Sequence, residues 1–299
     1  MKRLVGVVAA VMAPVAVWAG LSSQSYVQSG LVLQLDGINN DGSGTHNAAA
    51  TAWKDLKGSS DFTVNASCAS FTGGNGLKKN ASGYMAKYAT ARTDVRTIET
   101  AISGVGSSWI IAVMVSRDQN LTFANVGSTR KYCFDDNKYG LQVSAQPEPM
   151  TLAGLYSSRT TASGFFVNGV QPTGSAFKDY WTASPGGEMS LGGRVGFTGS
   201  DTSTTGFTIH AVRFYNRVLT ATEAQHNAVV DAIRFHGTTP ANYQVSGDAL
   251  QWRIAATAGA NGKVAADGGA AGSSAASDWV TSDGSATKTV TFVATPNSG

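Results

Sequence analysis

The sequence predicts an all-β protein, and three observations lead to that prediction. Short runs of β-branched and aromatic residues alternate with turns rich in Gly, Asn and Ser, as is typical of a sandwich of antiparallel strands. The 35 glycines and 42% hydrophobic residues can supply both the turns and a packed core. One helix pattern follows the main series of strands. Together they predict a two-sheet jelly-roll sandwich with one short C-terminal helix and a small β appendage.

The clearest single element is a strand, Phe207–Tyr215, followed by a helix pattern. The apolar positions of the strand change parity at His210–Ala211, which predicts either a bulge there or a strand buried on both faces. Thr220 stands three residues before Glu223, which predicts a capping box at the start of the helix. Gly237 stands where a helix end favours a left-handed residue.

The other strands of the sandwich are predicted from hydrophobic runs between turns. They are, in order, Tyr26–Leu35, Trp109–Val115, Leu121–Val126, Tyr139–Val143, Thr151–Tyr156 and Met189–Leu191. In the first strand Leu31, Leu33 and Leu35 alternate and should share one face. The second is apolar throughout, which predicts a central strand buried on both faces. Asn168-Gly169 predicts a tight hairpin turn, because a type I′ turn needs positive φ at both positions.

The composition changes after the helix pattern, where Gly, Ala and Ser become frequent. Residues 243–299 hold four strand candidates, which are Leu250–Ile254, Lys263–Ala266, Trp279–Val280 and Thr287–Val293. These short runs between turns predict a small β appendage rather than an extension of the sandwich.

Residues 1–19 have the pattern of a secretory signal peptide. Lys2 and Arg3 precede an apolar run, and Ala19 offers a small residue for cleavage. The run is shorter than a membrane span; an N-terminal membrane anchor is the alternative. We therefore expect a secreted or cell-surface protein, with no membrane insertion after the signal is cleaved.

The charge of the chain argues against two classes of partner. Without Lys2 and Arg3 the formal net charge falls from +3 to +1, and only 14% of residues are charged. No cluster of Lys and Arg stands ready to contact a phosphate backbone or an anionic lipid surface. Nucleic acid and membrane are therefore not expected as partners.

Several motifs, occurring in order, resemble a laminin-G-like (LamG, concanavalin A-like lectin) jelly-roll domain. The closing motif is VRFYNRVLTATEAQHN, and the opening strand and second motif are GLVLQLDGINNDGSG and WKDLKG. The hairpin GFFVNGVQPTG and the strand MSLGGR complete the resemblance, which covers residues 26–237. It implies a jelly-roll sandwich over that range.

Residues 243–299 resemble the small β repeats appended to bacterial surface proteins. Such repeats end in V-T-x-x-A-T-P-x-x-G-Y before an aromatic strand, and TVTFVATPNSG stops where that strand should begin. The resemblance implies that the natural protein continues beyond Gly299. The expected organisation is a signal peptide (1–19), a sandwich (26–237) and a truncated β repeat (243–299).

The LamG-like fold is shared by lectins, protein-binding modules and glucanases, so the fold alone does not decide the function. A glycosidase needs two carboxylates that face each other across the sugar. Of the four glutamates, Glu223 is explained by its cap, and Glu99, Glu148 and Glu188 stand alone near turns or strand ends. We therefore expect a non-catalytic, lectin-like or adhesion-like binding module. A glycoside hydrolase of this fold and a structural spacer of a surface protein are the alternatives.

Aromatic side chains are the candidates for carbohydrate binding, because domains of this kind hold sugars against aromatic faces. Tyr180 and Trp181 lie in an expected loop before the strand at Met189, and Tyr156 is a further candidate. Packing of Trp181 in the core is the alternative.

Oxygen-bearing side chains cluster in the loop after the first strand. Asp36, Asn39 and Asp41 offer the hard ligands that Ca²⁺ takes, and some LamG-like domains bind Ca²⁺ at the rim of the sandwich. The same residue types are also common in plain turns, and the spacing does not fit an EF-hand. A calcium site and a plain turn are both left open, and no other cofactor is expected.

The two cysteines, Cys68 and Cys133, could form a disulfide in an exported protein. Two buried free thiols are the alternative, because the sequence does not show whether the Cα atoms lie within bridging distance. Metal binding through them is not expected, since neither a C-x-x-C motif nor clustered His accompanies them.

Overall fold

The computed structural model describes residues 20–105, 110–116, 119–126, 129–134, 139–144, 149–158, 161–173, 175–177, 188–193, 195, 205–259, 262–285 and 287–296. Within those residues the chain forms two antiparallel sheets packed face to face and one helix. A group of small sheets follows the helix. The predicted fold class, an all-β sandwich with one helix and a β appendage, is confirmed.

The strands and the helix have the following bounds. The sandwich strands are β1 (Leu31–Asp36), β2 (Ala52–Trp53), β3 (Phe62–Val64), β4 (Ala69–Ser70), β5 (Leu77–Lys79), β6 (Ala86–Tyr88), β7 (Thr97–Ser103), β8 (Ile110–Ser116), β9 (Gln119–Val126), β10 (Thr129–Phe134), β11 (Tyr139–Ser144), β12 (Met150–Ser158), β13 (Thr161–Val167), β14 (Ser175–Phe177), β15 (Met189–Leu191) and β16 (Thr208–Tyr215). The helix α1 spans Ala221–His236. The appendage strands are β17 (Tyr243–Ser246), β18 (Ala249–Trp252), β19 (Ala255–Thr257), β20 (Gly262–Ala266), β21 (Ser274–Ala276), β22 (Val280–Thr281) and β23 (Phe292–Pro296).

The two sheets of the sandwich differ in size. Sheet A has seven strands in the order β13-β12-β7-β16-β5-β4, with β1 also paired to β16. Sheet B has nine strands in the order β14-β11-β10-β9-β8-β15-β6-β3-β2. All pairings are antiparallel. As predicted, β8 takes the middle of its sheet, and residues 112–115 are buried on both of its faces.

The main core lies between the two sheets. Apolar side chains from both sides fill it, among them Leu33, Ile98, Leu152 and Phe214 from sheet A and Phe62, Val113 and Leu191 from sheet B. Trp53 is fully buried in the same core. Removal of this apolar surface from water is the main force that holds the sheets together.

Strand β16 shows why its sequence pattern changes parity. Its pairing with β7 shifts register between Ile209 and Ala211, so the strand bulges at His210. Before the bulge Ile209 faces the core, and after it Val212 and Phe214 do. From its second residue onward the strand is buried on both faces. Both interpretations of the pattern are therefore confirmed.

The local signals around α1 and the hairpin are also confirmed. The hydroxyl of Thr220 accepts the N–H of Glu223 at 3.2 Å, and the Glu223 carboxylate accepts the Thr220 N–H at 2.8 Å. Gly237 follows the helix with φ 63°. Asn168 and Gly169 have φ of 51° and 74°, as the hairpin turn requires. A Cβ on Gly169 would lie 2.3 Å from the Cα of a helix residue, so the turn packs tightly on α1.

One prediction about β1 is wrong. Its pairing with β16 shifts register between Leu31 and Leu33. Leu33 and Leu35 face the core between the sheets, whereas Leu31 packs with Leu155 and Tyr215 on the helix side of sheet A. Side chains alternate between the two faces of a strand only where the pairing is regular. The extra residue of a bulge reverses which face the residues beyond it take.

Several strands are missing from the sequence prediction or displaced in it. Strand β7 was not predicted, because the polar residues Thr97, Glu99 and Thr100 interrupt its hydrophobic pattern. In the structure it is buried at six of its seven positions. In the appendage three further strands, β17, β19 and β21, were not predicted, and the predicted ones lie a few residues from their observed positions. Small Ala and Gly residues leave weak periodicity there.

Candidate functional site

The densest set of charged groups in the described part of the chain lies between sheet A and α1. We call it the helix-face cluster, and its members are Tyr26, Asp36, Glu99, Thr151, Arg213, Tyr215, Asn227, Asp231 and Arg234. None of them is more than 4% exposed. Strand pairing and the helical repeat bring these side chains together. Glu99 and Arg213 are direct neighbours on paired strands, and three helix members recur at i, i+4 and i+7 on one face.

Arg213 is the centre of the cluster. Its Nε donates to Glu99 Oε2 at 2.9 Å, and its Nη1 and Nη2 donate to the two oxygens of Asp231 at 2.8 and 2.6 Å. The ring of Tyr26 lies 4.0 Å from the guanidinium carbon. Burial lowers the pKa of Arg213, but Asp231 and Glu99 outweigh burial and hold it well above its usual value. The residue is therefore a permanent cation that links the sheet to the helix.

Asp231 is the best-satisfied carboxylate of the cluster. Besides Arg213, it accepts hydrogen bonds from the hydroxyls of Tyr26 and Thr151, each at 2.8 Å. Burial acts to raise the pKa of Asp231, but the Arg213 charge and these donors bring it below its usual value. Asp231 is therefore ionised in the folded chain.

Arg234 forms a second charged contact beside the first. Its Nη1 donates to Asp36 Oδ2, and to the Tyr26 hydroxyl at 3.0 Å. The other oxygen of Asp36 accepts the N–H groups of Ile38 and Asn39. Burial lowers the pKa of Arg234, and Tyr26 and Asp36 reverse that effect and raise it.

Glu99 differs from the other two carboxylates. Its Oε2 accepts from Arg213 and, at 2.8 Å, from the side-chain amide of Asn227. Its Oε1 is buried and has no hydrogen-bond partner among the described residues. Burial outweighs the Arg213 charge and raises the pKa of Glu99 to about 7.

The cluster also fastens the segment before β1 to the helix. The N–H of Val27 donates to Asn227 Oδ1 at 3.0 Å, and the His226 Nε2 lies 2.7 Å from the carbonyl oxygen of Ser25. Because its members are buried, the cluster holds the N-terminal segment, sheet A and α1 together and offers no open face to a dissolved ligand.

The three predicted calcium ligands do not converge. Asp36 is fully buried, and its carboxylate accepts a hydrogen bond from Arg234. Asn39 Oδ1 accepts the N–H of Gly44 at 2.7 Å, and Asp41 stabilises its own turn. Within the residues described, no group of three or more His, Cys, Asp or Glu is placed to hold a metal.

Asp41 remains a charged group near the surface of this loop. Its Oδ1 accepts the N–H of Ser43 at 2.9 Å, and its Oδ2 accepts the amide of Asn47 at 2.8 Å. The hydrogen bonds from Ser43, and then from Asn47, lower the pKa of Asp41 to about 2. The loop thus has the hydrogen bonds of a rigid turn, and calcium binding by Asn39 and Asp41 stays a prediction.

The structure separates the predicted aromatic candidates. Tyr156 is fully buried in the core between the sheets and presents no ring face to solvent. On β12 it has the parity of Met150 and Leu152, which face the same core. Tyr180 and Trp181 lie outside the described residues, and their role stays a prediction.

Cys68 has a free thiol in the structure. Its Sγ donates to the carbonyl oxygen of Ser82 at 2.9 Å. Cys68 is therefore a buried thiol with a hydrogen-bond partner, and its pairing with Cys133 stays a prediction. The side chain of Cys133 itself lies outside the described residues.

Sequence reasoning missed the helix-face cluster. It placed Glu99 alone near a turn, whereas Glu99 lies inside β7 and pairs with Arg213. A usable signal was present, since a single charged residue interrupts each of two apolar strands, TIETAIS and TIHAVRFY. Buried charges of this kind require partners, and Asp231 on the helix supplies one.

Two open clefts border α1 in the described part of the chain. One, of about 250 Å³, is mainly apolar and lies between the helix and the start of β12 at Pro149–Thr151. The other, of about 380 Å³, lies between the N-terminal segment and the appendage. We call the second one the polar cleft; its lining includes Gln28, Asp248, Ser282 and Asp283. Hydroxyl, amide and carboxylate groups of this kind can hydrogen-bond to a polar ligand.

No family model and no curated protein matches the sequence. Among solved structures, the chain is similar to a Trypanosoma rangeli sialidase in complex with 2,3-difluorosialic acid, with a TM-score of 0.50 and 16% identity over 69% of this chain and 33% of that chain. It is also similar to the binding domain of botulinum neurotoxin serotype D/C VPI 5993, with a TM-score of 0.42 and 9% identity over 69% of this chain and 53% of that chain.

These structural similarities support few conclusions about this chain. The chain spans about a third of the sialidase chain's length, and at this identity the likeness shows the fold alone. The likeness to the neurotoxin domain is too distant to support an argument. What the fold and the cluster define is a class: an all-β sandwich with a charged helix interface. No helix among the residues described is long and apolar enough to cross a membrane.

Proposed function

We propose that this chain is a non-catalytic binding module of an exported protein, of the laminin-G-like jelly-roll type, and that it recognises a glycan or an extracellular protein. One observation supports the proposal above the others. The two carboxylates that share a partner, Glu99 and Asp231, are fully buried around Arg213. They stabilise the fold instead of facing a substrate.

The chemistry of glycoside hydrolysis explains why this observation matters. A glycosidase needs an acid and a base or nucleophile on either side of the scissile bond, about 5–9.5 Å apart and open to the sugar. Several partly exposed carboxylates in the described part of the chain, such as Asp61, Asp94 and Glu188, each form an ion pair with a Lys or Arg. None of these ion pairs supplies an opposed carboxylate pair.

Two places on the chain are suited to a glycan. One is the predicted platform of Tyr180 and Trp181, whose rings would stack on a pyranose. The other is the polar cleft, where Asp248 and Ser282 can bond to sugar hydroxyls. The sialidase of similar fold was solved with a difluorosialic acid, which makes glycans the first ligand class to test.

A glycan array with the mature chain tests the proposal, run both with Ca²⁺ and with a chelator. We expect binding to a restricted set of glycans, at least tenfold weakened by Trp181→Ala or by Asp248→Asn. Trp279→Ala is the matched control, because Trp279 is a half-buried ring on the appendage, stacked on Arg253 at 4.5 Å. No bound glycan, and no protein captured from extracellular matrix, would contradict the proposal. Loss of binding in the chelator would assign calcium to the site.

A glycoside hydrolase is the second candidate, and one observation favours it. A carboxyl group with a pKa of about 7, as Glu99 has, is what a general acid in such an enzyme requires. Release of reducing sugar by the wild-type chain, abolished by Glu99→Gln, would establish this candidate. We expect no release, because Glu99 has no exposed surface.

A further inference from the structure

We propose that Glu99 keeps a proton in the folded chain at mildly acidic pH and that this proton keeps α1 docked on sheet A, so that the helix-face cluster acts as a pH-sensitive latch. The inference does not depend on the proposed function. It follows from the charge of a closed cluster and from one oxygen atom that the cluster leaves without a partner.

The charges of the cluster do not balance when every group is ionised. Asp36, Glu99 and Asp231 would contribute three negative charges, against two positive charges from Arg213 and Arg234. All five residues are at most 4% exposed. An uncompensated charge in such a place is costly, and a buried acid usually becomes neutral instead. One proton on one carboxylate brings the sum to zero.

The hydrogen bonds identify which carboxylate takes the proton. Asp231 accepts four hydrogen bonds, shared between both of its oxygens. Asp36 accepts three, also on both oxygens. Glu99 accepts two, both on Oε2, and its buried Oε1 accepts none from the described residues. A carboxylate is stabilised as an anion by the donors around it, so Glu99 is the least stabilised anion of the three.

The groups that face Glu99 do not provide a second cation. Arg213 and Tyr215 face it from β16 and Asn227 and Asp231 from α1, and Tyr26 donates a hydrogen bond to Asp231. Arg213 is the single cation among them, and it is shared with Asp231. The tyrosines stay neutral, because burial raises the pKa of both well above the usual value.

The proton links stability to pH with a definite sign. Burial raises the pKa of Glu99 from its ordinary 4.5 to about 7, so between these values the folded chain holds a proton that the unfolded chain has lost. The contribution of Glu99 to stability is complete below pH 4.5 and is lost as pH rises to about 7. The folding constant should fall by about two to three powers of ten over that interval.

His210 has the opposite effect, and the experiment must separate the two. Burial lowers the pKa of His210 to about 4, so its contribution is complete above pH 6.5 and is lost as pH falls towards 4. In wild type the two trends oppose each other between about pH 4.5 and 6.5. A comparison of wild type with Glu99→Gln at each pH cancels the histidine, since glutamine imitates the protonated acid and does not titrate.

The first test is urea unfolding of wild type, Glu99→Gln and Glu188→Gln from pH 4 to 9. We expect the unfolding constant of wild type, relative to Glu99→Gln, to rise about 100- to 1000-fold between pH 4.5 and 7 and then to level off. Glu188→Gln, which breaks only a part-exposed pair with Lys87, is the control for a carboxylate outside the cluster. A flat ratio for Glu99→Gln, or one that falls with pH, would overturn the proposal.

The second test does not require a variant at Glu99 to fold. The chain has four glutamates, so labelling with ¹³C-glutamate gives four carboxyl signals for NMR titration. Conservative variants at Glu148, Glu188 and Glu223 assign three of them and leave Glu99 as the fourth. We expect the Glu99 signal to titrate with a midpoint at about 7, well above the ordinary value of 4.5 for a glutamate. A midpoint at or below 4.5 would overturn the proposal.

Discussion

The two faces of sheet A differ in what holds them, because the face towards α1 adds buried ion pairs to its apolar contacts. The face towards sheet B is apolar, with Ile98, Leu152 and Phe214 in one continuous core. The face towards α1 carries Glu99 and Arg213, the immediate neighbours of two of those residues in the chain. Both faces are equally closed to solvent. Burial alone therefore does not say whether a face is held by packing or by charge.

The difference teaches how each face should respond to change. Packing energy on the apolar face is shared over many contacts, so losses there are graded with the volume removed. On the helix face each charge depends on its partner, so the loss of one leaves another buried and unpaired. The helix face is also sensitive to pH through Glu99. The following predictions run from the largest expected effect to the smallest.

Arg213→Met should be the most damaging single change. It removes the cation shared by Glu99 and Asp231 and should lower the free energy of unfolding by about 3–5 kcal/mol, as breaking a buried ion pair does. Urea unfolding at pH 7 measures the change. Adding Glu99→Gln and Asp231→Asn to the same chain should recover part of the loss, since no anion is then stranded. A loss below about 1 kcal/mol would show that these ion pairs do not hold α1 on sheet A.

Leu152→Ala breaks the apolar face in a comparable strand position. Leu152 is fully buried between the sheets, so the cavity should cost about 2–5 kcal/mol. Unlike the Arg213 variant, the loss should be the same at pH 5 and pH 8, because no titrating group is touched. A pH-dependent loss would contradict the separation of the two faces.

Thr220→Ala tests the start of α1, outside both faces. The variant removes the oxygen that accepts the Glu223 N–H and should lower the free energy of unfolding by about 1 kcal/mol. Thr220→Ser, which keeps the hydroxyl, is the control and should cost much less. Equal losses for both variants would mean that the cap is not what Thr220 contributes.

Asp94→Asn should have the smallest effect. Asp94 pairs with Arg92 on the surface, where its side chain is 47% exposed, and such pairs contribute less than about 1 kcal/mol. Thermal unfolding at low and high salt measures it. A loss as large as that of the Arg213 variant would remove the distinction between buried and exposed ion pairs.

What the sequence predicted correctly is local. The bulge at His210, the cap formed by Thr220 and Glu223 and the turn at Asn168-Gly169 each depend on a few neighbouring residues, and all are confirmed. Their residue types determine the backbone directly, because a cap or a type I′ turn needs only the side chains within it.

What the sequence did not predict depends on distance along the chain. Arg213 contacts Glu99, 114 positions away in the chain, and Asp231, 18 positions away. A local pattern can indicate a buried charge, but it does not identify the partner of that charge. Asp36 was interpreted as a loop ligand because its partner, Arg234, lies 198 positions away. Tyr156 has the parity of Met150 and Leu152 on β12 and packs with them between the two sheets, and only the pairing of those sheets shows which face of β12 is the inner one.

One measurement tests the central claim most directly, that the clustered carboxylates hold the fold and do not act on a ligand. Wild type and Glu99→Gln are incubated with each glycan that the array finds bound, at a pH where both are folded, and bound and released sugar are quantified together. We predict equal binding by the two chains and no released sugar from either. Sugar released by wild type and not by Glu99→Gln would contradict the account.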